Sequence, residues 1–180
     1  VRFPIELRLA AVAAGAIGLL GLGWWLRLRR AGYALILQGA AIGVLFLTVF
    51  ASFRLYGLLP AGLTFFLLIA LVVFGAVLAL AQDSRALAVA AASGGFLAPV
   101  LASTGSGSHV MLFSYYLVLN AGILAIAWFR AWRILNVVGF AFTFVIGSLW
   151  GARYYRPELF ALTEPFLVAF FLFYVAIAVL

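Results

Sequence analysis

Residues 93–120 read SGGFLAPVLASTGSGSHVMLFSYYLVLN, and the path they take decides the topology of the whole chain. The stretch holds the Gly94–Gly95 pair, Pro99, a polar run from Ser103 to His109, the Tyr115–Tyr116 pair and Asn120. His109 is the only histidine. On either side lie long apolar segments cut by arginines. A membrane span needs about 20 apolar residues at about 1.5 Å rise each, and the fourth apolar segment, 86–101, is short for that. Gly94–Gly95 lowers helix stability and Pro99 removes a backbone donor. Such breaks survive at membrane depth where protein or a water-filled cavity satisfies the freed groups. The fourth segment therefore reads as a kinked full span, with a re-entrant or broken helix lining a path as the alternative.

Composition places the rest of the chain in lipid. Of 180 residues, 69% are hydrophobic and only 8% charged, against about 25% charged in an ordinary soluble domain. Mean hydropathy is +1.31. The net charge is +7, and every basic residue is arginine. The arginines stand singly or in small groups between apolar runs, as headgroup and loop anchors do. That arrangement, with no soluble domain to carry a basic surface, argues against nucleic acid as a partner. The absence of cysteine removes disulfides, thiolate metal sites and cysteine nucleophiles. The chain opens on Val1 and closes on Leu180 inside an apolar run, so it is expected to be an excerpt of a longer multi-pass protein.

Seven segments approach span length: 9–26, 33–53, 63–81, 86–101, 109–128, 134–151 and one beginning near Phe166. The expected fold is all-α, a single polytopic transmembrane helical bundle over 1–180. Trp24–Trp25 followed by Arg27, Arg29 and Arg30 is the clearest aromatic belt and charged stop. Trp128, Arg130, Trp132 and Arg133 mark another interface, and Trp150 to Arg156 a third. Arg27, Arg29, Arg30, Arg130 and Arg133 are the expected lipid-headgroup contacts. Small residues every four positions allow close helix approach. They recur at Ala10, Ala14 and Gly18; at Gly39 and Gly43; and at Gly139, Thr143, Gly147 and Gly151. Thr163 before Pro165 reads as a cap of the last span.

If all seven segments cross, the interfaces alternate, and the arginines divide almost evenly between the two sides. The Arg27–Arg30 loop, set against the uncharged Ser103 loop, tilts the side bearing Arg27, Arg85 and Arg130 toward the cytoplasm. Polar groups inside spans are functional candidates, with helix-to-helix hydrogen bonding as the ordinary alternative. Gln38, Ser93, Gly94, Gly95, Pro99, His109, Tyr116 and Asn120 form the candidate polar path. One histidine, no cysteine and four scattered acids do not converge on a metal, and no cofactor is expected. His109 after Ser103, Ser106 and Ser108 gives the minimum of a serine nucleophile, but on a flexible loop without an orienting acid. No phosphate-binding loop is present, since Gly105-x-Gly107 lacks the strand-to-helix context and the lysine.

The strings YALILQGAAIGVLFLTVFASFRLY (33–56), GGFLAPVLASTGSGSHV (94–110), LFSYYLVLNAGILAIAWFRAWR (112–133) and WGARYYRPE (150–158) resemble a bacterial family of multi-pass proteins. That family is described only as predicted membrane proteins of unknown function, domain of unknown function 2339. The resemblance covers the entire chain. It implies a longer protein of many spans in the bacterial inner membrane, and it brings no catalytic residues. Three functions stay open: a transport-like or permeation module near the fourth and fifth spans, an envelope-assembly scaffold, or an intramembrane enzyme acting on a lipid-linked substrate. The expected partners are the bilayer and other spans of the longer chain, with a homo-oligomer as an open option.

Overall fold

The computed structural model describes residues 4–102 and 109–179. Their regular elements are seven α-helices and one 3-10 turn. The helices are α1 (Ile5–Leu26), α2 (Ala31–Arg54), α3 (Ala61–Ala81), α4 (Arg85–Ala102), α5 (His109–Phe129), α6 (Arg133–Tyr154) and α7 (Phe160–Val179). Among the described residues, six helical stretches are long and apolar enough to cross a membrane, the last of them running from Pro157 to Val179; α4 is the shorter one. The chain divides into two compact units, 1–102 and 103–180. The polar loop Ser103–Ser108 lies outside the described residues.

In the first unit α2 is central and touches α1, α3 and α4, while α3 also packs on α4. Lipid tails are as apolar as leucine, so these contacts rest on close packing and hydrogen bonds rather than on escape from water. Small residues set the close points. A Cβ added at Gly23 of α1 would lie 2.6 Å from Gln38 Cγ, and one at Gly75 of α3 would lie 2.6 Å from Ala91 Cβ. The Phe46 ring occupies the space beside Gly94, 2.8 Å from the missing Cβ. That close fit accompanies an α4 that stays helical through Gly94–Gly95, with Pro99 inside it. The turn before α3 uses Gly57 at φ +61°, where a side chain would be strained, and Pro60 stands at the helix entry. The turn before α4 carries Asp83 at φ 50°, a region aspartate tolerates. Ser84 Oγ then accepts from Leu87 N at 3.3 Å, a side-chain cap on α4.

The three expected small-residue stripes meet neighbours only in part. Ala10, Ala14 and Gly18 are exposed; α1 instead turns Leu9, Ala13, Ala16, Leu20 and Gly23 inward. In α6, Gly139 is buried, yet a Cβ at Gly147 or Gly151 would meet nothing within 4 Å. Gly43 is likewise open, and Gly39 has only Leu87 at 4.0 Å. A strict four-residue repeat drifts about 40° per step around a helix of 3.6 residues per turn, so it leaves the contact face within three steps. The last helix also starts earlier than Pro165 suggested. A 3-10 turn at Pro157–Leu159 leads directly into α7. Pro157 takes the first position, where its missing N–H costs nothing. Thr163 therefore sits inside the helix, and its hydroxyl donates back to Leu159 O at 2.9 Å instead of capping.

Candidate functional site

The second unit is built around one amide. Asn120, on α5, has no exposed surface. Its Nδ2 donates to Tyr116 O at 2.8 Å along its own helix and approaches Thr143 Oγ1 of α6 at 2.9 Å. Its Oδ1 accepts from the Thr143 hydroxyl at 3.2 Å and from the Tyr174 hydroxyl of α7. One side chain from each helix therefore meets at a single point. An unpaired amide in lipid would cost several kcal/mol, on the order of any unsatisfied polar group there, so the cluster fixes which faces of α5, α6 and α7 meet. Gly139 sits one turn before Thr143 and makes the approach feasible. A Cβ there would strike the Ile123 side chain and stand 2.8 Å from the Tyr174 oxygen.

On either side of this point the helices part. Toward the Arg133 end lies a cavity of about 570 Å³, lined by Arg133, Asn136, Val137, Phe140, Tyr174 and Ile177 among others. Toward the Tyr155 end lies a second cavity of about 430 Å³. Its walls include Thr143, Gly147, Ser148, Gly151, Thr163 and Glu164. An aromatic cluster closes its flank: Phe113 meets Trp150 edge-on at 5.0 Å and lies 5.6 Å from Phe166. Phe140 and Tyr174 line the first cavity and Thr143 and Phe144 the second, and both phenylalanines pack on the Tyr174 ring, so the Asn120 cluster and this aromatic stack lie together where the cavities meet.

The residues singled out in the sequence fall in both units. Gln38, Ser93, Gly94, Gly95 and Pro99 belong to the first, and His109, Tyr116 and Asn120 to the second. Gln38 is fully buried against Gly23, and its Oε1 accepts from Gln82 Nε2 at 2.5 Å. Gln82 Nε2 also faces Leu78 O at 3.4 Å, which fixes the amide's orientation and leaves the buried Gln38 Nε2 without a partner. Gly95 and Pro99 are buried, and Gly94 is filled by Phe46, so packing side chains occupy this part of α4. Tyr116 is fully buried, and its carbonyl serves Asn120. His109 leans on Trp150, with ring centroids 5.4 Å apart, and its Nε2 is buried without a partner. Arg27 lies over Trp24 at 3.4 Å and Arg29 over Trp25 at 5.0 Å, a cation–π backing for the interfacial arginines. Among the described residues, no group of three His, Cys, Asp or Glu side chains could hold a metal.

Sequence inspection passed over Tyr174, Asn136 and Gln82. Tyr174 carried a signal: a hydroxyl in the middle of an apolar run needs an acceptor. Asn136, three residues inside α6, carried the same one.

A bundle of long apolar helices with tryptophan–arginine belts and buried amides bonded across helices defines an all-α, multi-pass membrane protein. The chain belongs to the family described as Predicted membrane protein (DUF2339), whose model matches residues 2–180. No curated protein and no solved structure matches it.

Proposed function

We propose that α5, α6 and α7 form a membrane-embedded passage whose constriction is the Asn120–Thr143–Tyr174 cluster. One observation carries this: two cavities, about 570 and 430 Å³, lie at opposite ends of the same three helices, and the bonded cluster stands between them. Both volumes fall within the range of about 300–1,000 Å³ typical of small-molecule sites. The constriction joins hydroxyl and amide groups that can exchange partners to a small aromatic stack, in which Phe140 and Phe144 lie 5.2 and 5.9 Å from the Tyr174 ring. A solute that replaces the Tyr174 or Thr143 hydroxyl at Asn120 Oδ1 would open the wall without leaving a buried acceptor unpaired.

The test uses the chain's lack of cysteine. Single Val137→Cys and Gly147→Cys variants report on the two cavities. In proteoliposomes of one orientation, each should react with a membrane-impermeant thiol reagent from one side only, and the two from opposite sides. Two reporters unreactive from either side would remove the proposal.

A second reading has its own observation. Gly43, Gly147 and Gly151 present open small-residue positions that nothing in the described chain covers. Such faces accept a further helix closely. They support a scaffold role, in which other spans of a longer protein or a second copy pack there, and in which Asn120→Ala leaves function intact.

A further inference from the structure

We infer that the cavity at the Arg133 end binds an ester-linked phospholipid, with the phosphate on Arg133 and an acyl carbonyl on the amide of Asn136. Along α6, the cavity-lining residues change character with depth. Arg133 opens the helix, Asn136 and Val137 follow one turn deeper, and Phe140 lies about one turn beyond that. At 1.5 Å per residue, Asn136 is about 4.5 Å below Arg133 and Phe140 about 10 Å below it. A glycerophospholipid presents the same order: an anionic phosphate, then ester carbonyls, then hydrocarbon. Arg133 is exposed, and its guanidinium offers a fork of donors suited to phosphate oxygens. Oδ1 of Asn136 is buried without a hydrogen-bond partner, which leaves Nδ2, a donor, as the amide atom able to face the cavity. Both polar groups at this mouth therefore donate, and the ligand must accept at two depths. Phe140 and Ile177 supply the apolar wall beneath. A fatty alcohol or a sterol would leave Arg133 unanswered, and an alkyl phosphate would leave Asn136 unanswered. This names the class of molecule at one mouth of the passage, and its bearing on function rests on that proposal; the binding itself is tested separately.

The test is native mass spectrometry of the protein with three added probes of matched chain length: diacyl phosphatidylglycerol, its ether-linked counterpart without carbonyls, and diacylglycerol without phosphate. The unaltered protein should bind the ester lipid about tenfold more tightly than the ether lipid, and diacylglycerol most weakly. Asn136→Leu should erase the ester preference and leave the ether lipid's binding unchanged. Arg133→Gln should weaken both phospholipids and leave diacylglycerol unchanged. Equal binding of ester and ether lipids by the unaltered protein overturns the inference, as does an ester preference that survives Asn136→Leu. The probe ranking on the unaltered protein needs no variant to fold. Gly147 lines the other cavity, which this lipid does not fill: if lipid binds as stated while the Gly147 reporter stays silent, the passage fails and the lipid site stands; the reverse pattern sinks the lipid site alone.

Discussion

The two units hold their helices together by different means. The first relies on missing side chains: Gly23, Gly75 and Gly94 admit Gln38, Ala91 and Phe46 to positions a Cβ would fill. Its amide pair, Gln38 with Gln82, lies where α3 ends, and it leaves a donor unused. Among the described glycines of the second unit, Gly139 makes the tight contact, and next to it stands a hydrogen-bonded cluster drawing on all three helices. Away from that waist it is open at both ends. Packing by glycine gives contact along a helix face and leaves little room. Packing by a central polar knot leaves room on both sides, and the knot can be untied by anything that competes for its acceptor. On the proposed reading, the second unit is the part that a solute would open.

Four substitution sets would break or sharpen this contrast. The largest effect is expected where no side chain can fit. Gly139→Leu and Gly75→Leu should each cost about 3 kcal/mol or more by overpacking, whereas Gly147→Leu, facing open space, should cost little. Denaturant titration of the detergent-solubilised protein measures this, and equal losses at Gly139 and Gly147 would erase the waist. Next are the two buried amides. Asn120→Ala strands two hydroxyls and should cost about 2 kcal/mol, within the range for orphaning buried polar groups. Gln38→Met removes a single bond, and Gln82 keeps its contact with Leu78 O, so the change should stay within about 1 kcal/mol. A reversed ranking in the same titration would place the polar anchor in the first unit.

Smaller still is the coupling within the cluster. Thr143→Val and Tyr174→Phe should each cost about 0.6 to 1.7 kcal/mol, the measured span for hydrogen bonds between membrane helices. Both hydroxyls donate to the same Asn120 oxygen. Their double-mutant cycle should therefore be non-additive by about 0.5 kcal/mol or more, and additivity would mean that the two bonds are independent. The smallest effect belongs to the open glycines: Gly147→Ala and Gly151→Ala should shift the thermal midpoint hardly at all in this chain. A large loss at either would show that a second copy covers that face.

Most of the architecture was legible in the sequence because a span's length and its arginine–tryptophan flanks are local features. The ends of α1 to α6 lie within about four residues of the apolar-run boundaries read from the sequence. The seventh start was misjudged because two prolines, Pro157 and Pro165, compete for the first helical position, and only Pro157 has the chain continuing as a 3-10 turn into α7. Which glycines pack was less legible. The i, i+4 recurrence marks a helix, but the contact face needs alternating steps of three and four, as in Leu9–Ala13–Ala16–Leu20–Gly23. Gly75 sat unnoticed in the plainest apolar run. Asn120 stood out as an amide in a span, but its partners, 23 and 54 residues further on, could not be found from spacing alone.

The most direct measurement combines the two cysteine reporters with an untied cluster. In proteoliposomes of one orientation, Val137→Cys and Gly147→Cys are each modified from a single, opposite side. Placed on a Tyr174→Phe background, at least one of them should become reactive from both sides while the protein keeps its melting temperature to within a few degrees. If both reporters keep their sidedness after Tyr174→Phe, and again after Thr143→Val, then the cluster is not the barrier between the cavities and the passage does not exist.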